Sequence, residues 1–457
     1  MNPESMSLLQ KYNVAAPRYT SYPTVPYWDE ASFNEEEWKA LLRRSFRESN
    51  DKEGISIYIH LPFCEKLCTY CGCNKHITVN HSVETPYISA LLQEWKLYLN
   101  AFDGKPRITE VHLGGGTPTF FSAEHLSQLM EGLFENATLL PDAALSFEGH
   151  PGNTTPAHLQ LLYRLGFRRI SLGIQDFDPK VQDMINRVQD ADTVEAVVRQ
   201  ARTIGFTSVN FDLIYGLPLQ TVQTVEDTIR KVTLLRPDRI SFYSYAHVPW
   251  IKGVGQRKYD EADLPKEGEK RRLYETGKAL FVEAGYTEIG MDHFALPADE
   301  LYHARNNGTL HRNFMGYTVL HTSLLVGLGA SSIGDNWYAY VQNEKRIADY
   351  QEKVRQGKFP VVRGHLLNEE DLLIRGHIHN LMCRFSTTWR KADTQCDAIV
   401  DGIERLQELE RDGLVDVLPD RIVVTPQGRT FIRNICMAFD ARLWRKLPAS
   451  QLFSSAI

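Results

Sequence analysis

Several things are scarce in this chain of 457 residues. Long apolar runs are missing: the least polar stretches, such as residues 320–330, are broken by His321, Thr322 and glycines, so no segment reads as a membrane span. Met1 to Ser7 offers neither a basic cluster nor an apolar stretch, so no secretory leader is expected. An excess of positive charge is missing too. The net charge of -6 gives no general attraction to nucleic acid, whose binding begins with phosphate neutralisation, although local basic residues can still hold an anion. No low-complexity segment is present, and no repeat beyond a strand–helix alternation. With 43% hydrophobic and 24% charged residues the composition is that of an ordinary globular protein, and a cytoplasmic, soluble chain of roughly two to three domains is expected.

Cysteine is also sparse, and unevenly spent. Four of the seven fall within ten residues, Cys64-x3-Cys68-x2-Cys71-x1-Cys73, directly after a short apolar strand ending His60-Leu61-Pro62-Phe63. Structural zinc sites usually join two separated ligand pairs that surround a tetrahedral ion, which one short loop does not easily do. Disulfides are disfavoured in a chain without a leader, since cytosolic thiols stay reduced. Scattered packing cysteines would not concentrate in this way. A compact three-cysteine loop suits an iron–sulfur cluster: three thiolates hold three irons of a 4Fe-4S cube and leave the fourth iron open to bind and reduce a ligand directly.

From Ile55 onward, β-like runs alternate with helical patterns. Expected strands are Ile55–His60, Ile108–Leu113, Leu145–Gly149, Arg169–Gln175, Ser208–Ile214 and Ile240–Tyr245, with a later one near Tyr286–Met291. Ile88, Leu91, Leu92, Trp95, Leu99 and Phe102, then Leu126, Leu129, Met130, Leu133 and Phe134, recur at helical spacing between them. Such alternation predicts an α/β fold with a parallel sheet, open or curled into a full or partial barrel, whose chemistry gathers at the strands' C-terminal ends. The cysteine loop lies at such an end. After residue 365 the order changes to helices Leu372–Cys383 and Ala398–Arg411, a hairpin Gly413–Val417/Arg421–Thr425, and a helix from Pro426, resembling a winged helix. Eight acidic residues against Arg405 and Arg411 between Asp397 and Asp420 oppose a DNA-binding role, so a packing or substrate-covering domain is expected. The arm Pro17-Arg18-Tyr19-Thr20-Ser21-Tyr22-Pro23 is too proline-broken for a helix. The divisions read as 1–48 for arm and lead-in helix, 49–365 for the barrel and 366–457 for the C-terminal domain.

Gly114-Gly115-Gly116-Thr117-Pro118 closes the second strand, and three glycines let backbone groups approach a ligand and adopt positive φ. Glu148, Gln175, Asp176, Asp212 and Tyr215 end later strands, with Arg187 in a helical segment between. These polar groups could bind ribose hydroxyls, an amino group or a carboxylate, or serve only as caps. Tyr58 and His60 share one face of the first strand, opposite Ile55, Ile57 and Ile59, and so point into the barrel or pack with a hydrogen-bonded tip.

The cysteine spacing, Tyr70 beside the last ligand and the Gly114–Pro118 turn resemble the radical S-adenosylmethionine superfamily. More narrowly, Pro17-Arg18-Tyr19-Thr20-Ser21-Tyr22-Pro23-Thr24, His60-Leu61-Pro62-Phe63-Cys64, Cys71-Gly72-Cys73-Asn74-Lys75, Asp212-Leu213-Ile214-Tyr215-Gly216-Leu217-Pro218, Met291-Asp292-His293-Phe294-Ala295 and Asn434-Ile435-Cys436-Met437 resemble the oxygen-independent coproporphyrinogen III oxidase family. The resemblance implies a partial (β/α) barrel and two S-adenosylmethionine molecules beside the cluster. Cys64, Cys68 and Cys71 would ligate the cluster and Cys73 would not. Tyr58, Gly115, Glu148 and Ile333 would surround the molecule on the open iron, with the Gly-rich turn at its amino-acid end. Tyr70, Gly116, Thr117, Gln175, Arg187, Asp212 and Ala246 would surround the second. Tyr58, Cys73 and Glu148 are expected near the chemistry, and Arg18, Tyr19 and Tyr22 at the substrate. Two positions depart from the family pattern: His150 follows Gly149 where an acid is expected, and Met315 stands where Gln can occur.

The implied reaction converts two propionates of coproporphyrinogen III to vinyl groups, giving protoporphyrinogen IX in haem biosynthesis. A propionate β C–H is too weak an acid for any side-chain base, so a 5′-deoxyadenosyl radical from S-adenosylmethionine is required. The implied partners are an electron donor and an acceptor of unassigned identity, without nucleic acid or membrane, and a monomer is expected. A haem chaperone or an anaerobic haem-opening methyltransferase of the same superfamily are the competing readings. Removing residues 1–24 is expected to spare cofactor binding and stop tetrapyrrole turnover.

Overall fold

The computed structural model describes residues 3–248, 256, 258–448 and 452–454, so the outermost residues of the arm and of the C-terminal domain lie outside the described set. Six strands follow one another in the first half: β1 (Ile55–Leu61), β2 (Arg107–Gly115), β3 (Thr138–Gly149), β4 (Arg169–Gln175), β5 (Ser208–Tyr215) and β6 (Arg239–Ser244). Each is parallel to the next. Helices cross between them, among them Glu84–Ala101, Ala123–Glu135, Pro156–Arg164, Ala191–Ile204 and Val222–Leu235. Alternation explains the build: Ile55, Ile57 and Ile59 on one face of β1 are fully buried in the same core as Ile88, Leu91 and Trp95 of the first crossover helix.

Six further strands extend the sheet at both sides: β7 (Thr287–Gly290), β8 (His293–Ala295), β9 (Leu325–Leu328), β10 (Ile333–Asp335), β11 (Ala339–Asn343) and β12 (Val361–Leu366). The order is β12-β11-β10-β9-β1-β2-β3-β4-β5-β6-β8-β7, an open sheet of twelve strands and therefore a partial barrel. Strand β9 runs parallel to β1 with Tyr58 opposite Gly327, while the other additions are antiparallel. No helix among the described residues is long and apolar enough to cross a membrane.

The C-terminal part has helices Glu369–Arg384, Asp397–Arg411 and Ile432–Phe439, and the expected hairpin Val415–Leu418/Arg421–Val424. Ser386–Thr388 adds a third strand, helix Ile432–Phe439 is preceded by a 3-10 turn at Gly428–Phe431, and a short helix, Ala441–Arg445, follows it. The arm and the lead-in helix, taken above as one unit, separate. Tyr12, Tyr19 and Tyr22 are buried with Ile374, Leu381, Leu406 and Phe439 in the C-terminal core, whereas Trp38, Leu42 and Phe46 of helix Glu35–Ser49 enter the barrel's core. Hydrogen bonds fix the arm there: Tyr19 Oη donates to Asp440 at 3.0 Å, Asn434 Nδ2 to the Tyr12 carbonyl at 2.9 Å, and Arg433 Nε to the Pro17 carbonyl at 2.9 Å.

One buried carboxyl makes the frame sensitive to pH. Glu94, fully buried on the first crossover helix, accepts from the Gly329 N–H (2.8 Å), Tyr350 Oη (2.7 Å) and Asn343 Nδ2 (2.6 Å), and burial pushes its pKa up to about 7. An unfolded Glu titrates near 4.3. Between those values the folded state holds a proton that the unfolded chain releases, so this group's contribution is present below about pH 4 and lost as pH rises towards 7. Urea midpoints compared at about pH 5 and pH 7 should therefore differ less in Glu94→Gln, which cannot titrate, than in the unchanged chain.

Candidate active site

The cysteine loop leaves the C-terminal end of β1 and folds back. Phe63–Cys64 pairs in parallel with His76–Ile77, the His76 N–H donates to the Pro62 carbonyl at 2.8 Å, and the Thr78 N–H to the Cys64 carbonyl at 2.9 Å. The glycine turn at the end of β2 is joined to it by the Gly116 N–H on the Leu61 carbonyl (2.9 Å) and the Thr117 N–H on the Phe63 carbonyl (3.0 Å). Here glycine is required twice. A Cβ on Gly116 would stand 2.7 Å from the Pro62 carbonyl, and one on Gly115, which has φ +116°, 2.8 Å from the His60 ring.

These loops rim a cavity of about 570 Å³ over the sheet's interior. Cys64, Cys68, Cys71 and Cys73 line it together with Tyr70, Gly115, Gly116, Thr117, Glu148, Gln175, Arg187 and Asp212. None of the seven cysteines is in a disulfide. Thr117 Oγ1 donates to Cys64 Sγ at 3.4 Å and Arg187 Nη1 to Cys68 Sγ at 3.7 Å. A hydrogen bond from Cys73, with Lys75 close by, lowers the Cys71 thiol to about 6; burial raises Cys64 to about 11, and the neighbouring Cys71 raises Cys73. Among the described residues no three His, Cys, Asp or Glu side chains are placed to hold a metal ion.

Glu148, at the end of β3, accepts from the Gly115 N–H (3.2 Å) and faces His112 Nε2 (3.4 Å). Its other lone pairs stay available for an amino group. Arg187 donates Nη2 to the Gly173 carbonyl at 2.6 Å, while its buried Nε has no partner. Asp212 accepts from Ser171 Oγ (2.7 Å) and Asn210 Nδ2 (3.0 Å), and burial raises its carboxyl. Gln175 sits at φ +66°, after a register shift that ends the β4–β5 ladder. An orphaned guanidinium N–H, a half-free carboxylate, reduced thiols and a Cβ-free cradle fit a sulfur-ligated cluster with an amino-acid-bearing cofactor.

Some expected residues lie elsewhere. Tyr58 does not line the cavity: its hydroxyl meets His60 Nδ1 at 3.0 Å and its ring stacks on His112, which does. His60 is a satisfied core histidine, with Nε2 on the Asn74 carbonyl at 2.8 Å and its pKa lowered by burial. Ile333 opens β10, where its carbonyl lies beside Gly327, the register partner of Tyr58. Ala246 follows β6. Its carbonyl and that of Tyr70 both accept from Gln256 Nε2 at 3.0 Å, so Gln256 ties these two segments together. Sequence gave no sign of Gln256, which stands in no recognisable pattern.

Among the described residues of the arm, Arg18 is the one that approaches the cavity. Its guanidinium lies 5.6 Å from the centroid of Tyr243, a lining residue, and pairs with Asp292 at 2.5 Å. Tyr19 and Tyr22 are corrected from substrate contacts to anchors, because their rings are spent in the C-terminal core at 4% and 1% exposure. Both departures from the family pattern, His150 and Met315, line the cavity; burial and Arg187 push His150 down to about 3, so a neutral ring stands where an acid was expected.

A parallel-stranded partial barrel, with thiols after its first strand and a glycine cradle after its second, defines a radical S-adenosylmethionine protein, and residues 58–232 match the model of the Radical SAM superfamily. The chain is 40% identical to the oxygen-independent coproporphyrinogen III oxidase of Escherichia coli (strain K12), covering 99% of this chain and 98% of that one, and 39% identical to that of Pseudomonas aeruginosa, covering 98% of each. The solved structure of the Escherichia coli coproporphyrinogen III oxidase, described as a radical SAM enzyme, superimposes with a TM-score of 0.88 at 39% identity over 95% of this chain and 98% of that one. The chain belongs to the oxygen-independent coproporphyrinogen III oxidase family.

Proposed function

We propose that this chain oxidatively decarboxylates two propionates of coproporphyrinogen III to vinyl groups, yielding protoporphyrinogen IX for haem biosynthesis. The observation that carries it is the near-full-length kinship to enzymes of that name in a chain whose thiols and glycine cradle share one cavity. The haem chaperone and methyltransferase readings are not favoured. When bound, a 4Fe-4S cluster and S-adenosylmethionine supply a 5′-deoxyadenosyl radical for hydrogen abstraction.

The protein's part is to hold and to exclude. Cys64, Cys68 and Cys71 are assigned to the cluster. Gly115 and Glu148 receive the amino-acid end of the first S-adenosylmethionine, with Tyr58 and Ile333 bracing that wall from behind. Tyr70, Gly116, Thr117, Gln175, Arg187, Asp212 and Ala246 are assigned to a second molecule, and the Arg187 guanidinium also offsets the negative charge of the thiolates it faces. Cys73 stands beside the reacting centre and not on the cluster. Arg18 receives a propionate, and Tyr19 and Tyr22 keep it in place. Free thiols suit a reducing compartment, which supports a cytoplasmic location. A monomer that takes one electron from a separate donor and passes one to a separate acceptor completes the reading.

Anaerobic incubation with S-adenosylmethionine, a reductant and either coproporphyrinogen III or haem, followed by mass spectrometry, tests it. Loss of two carbon dioxide units from the tetrapyrrole is expected. Haem retained unchanged, or opened and methylated, would overturn it in favour of the chaperone or the methyltransferase.

A further inference from the structure

We infer that Arg312 is the second arm of a carboxylate clamp that it forms with Arg18, closing on a propionate of the tetrapyrrole; the inference rests on the substrate reading above. Arg312 belongs to the hairpin His311–Asn313/Gly316–Thr318, where its register partner is Tyr317. Partners in register share a face, and the Arg312 guanidinium lies 4.5 Å from the centroid of the Tyr317 ring. Tyr317 lines the cavity, next to Tyr243 and His293. The two arginines also meet directly: Arg312 Nη2 faces the Arg18 carbonyl at 3.4 Å.

What sets Arg312 apart is what it lacks. It is 8% exposed, its Nε and Nη1 have no hydrogen-bond partner, and among the described residues no carboxylate stands within ion-pair distance of it. A buried guanidinium is tolerated when its planar fork is filled, and an unpartnered Nε and Nη1 leave much of the desolvation penalty unrelieved. The Tyr317 ring answers only the face of the cation, not its edge. His293 offers no acceptor either: burial and the nearby Arg312 lower its pKa to about 4, and its Nδ1 and Nε2 already face the Met291 carbonyl (2.7 Å) and Tyr243 Oη (3.4 Å). Asp292, a charge neighbour of the same His293 and Tyr317, is engaged by Arg18. An incoming carboxylate would supply the acceptors that Arg312 lacks, in the bidentate geometry that a guanidinium prefers. Arg18 comes from the arm to the lining residue Tyr243, and Arg312 from the hairpin to the lining residue Tyr317.

Coproporphyrin III, the unreactive oxidised form of the substrate, serves as the probe, with its uncharged tetramethyl ester as the control. Binding is read from the shift of the porphyrin absorption band in the cluster-loaded protein. Arg312→Met keeps the apolar stem and removes the donors. It should weaken coproporphyrin III binding about tenfold or more, leave the ester's Kd unchanged, and leave iron content and S-adenosylmethionine binding intact. Its Tm should stay level or rise, because an orphaned buried charge has been replaced by a thioether. Unchanged affinity for coproporphyrin III, or an equal loss for acid and ester, would overturn the clamp. Failure of the unsubstituted protein to bind coproporphyrin III at all would instead overturn the substrate reading on which the clamp rests.

Discussion

Replacing Cys64, Cys68 or Cys71 by alanine should empty the protein of iron and abolish turnover. Two remaining thiolates do not hold a cuboid firmly, and each of the three lies on the same cavity wall with a donor or thiol beside it. The fold should survive, because none of the three cysteines belongs to the barrel core, so circular dichroism stays near that of the parent while iron falls from about four per chain towards none. Cys73→Ser supplies the contrast. It should keep iron and sulfide at the parent's level and lose product formation. Full iron after any of the first three changes would refute the assignment, and loss of iron from Cys73→Ser would show that the wrong trio had been chosen.

The second large effect lies in the arm, and there the structure alters the expected result. Arg18→Ala removes the guanidinium beside Tyr243 and Asp292, and should cut tetrapyrrole turnover about tenfold or more while iron content and S-adenosylmethionine binding hold. On the sequence alone, deleting residues 1–24 does the same and no more. It should in fact also unfold the C-terminal domain, because Tyr12, Tyr19 and Tyr22 belong to that domain's core and buried aromatic truncations cost about 3 kcal/mol or more each. Thermal unfolding followed by tryptophan fluorescence should show an early transition in the deletion that is absent from Arg18→Ala. A deletion mutant with the parent's Tm would show that the shared core contributes nothing.

The central strands of the barrel are legible in the sequence, and its margins are not. Arg169–Gln175 matches to the residue, because Ile170, Leu172 and Ile174 alternate into the core while Arg169, Ser171 and Gly173 between them stay half-buried at the cavity, and that period of two is visible locally. Strands β8 to β10 have three or four residues each and owe their pairing to neighbours distant in sequence, such as β9 beside β1, so no local pattern announces them. The cavity-lining thiols and glycines were legible because their chemistry is written in spacing. Tyr19 and Tyr22 were misplaced for the converse reason: an aromatic beside an arginine looks the same in sequence whether its ring faces a ligand or a core, and only the C-terminal helices decide it. Gln256 and Arg312 act through backbone carbonyls and an unfilled fork, which leave no trace in a motif.

The arm's tie to Asn434 has a consequence for the order of synthesis. Tyr12 and Asn434 are bonded across 422 positions. At about 5–20 residues per second a ribosome takes roughly 20–80 s to travel that distance. Throughout that interval the strands of the barrel can emerge and pair, while the arm has no C-terminal helix to settle on. The wall of the cavity that Arg18 approaches is therefore closed only after Asn434 has been made, by a segment synthesised long before it.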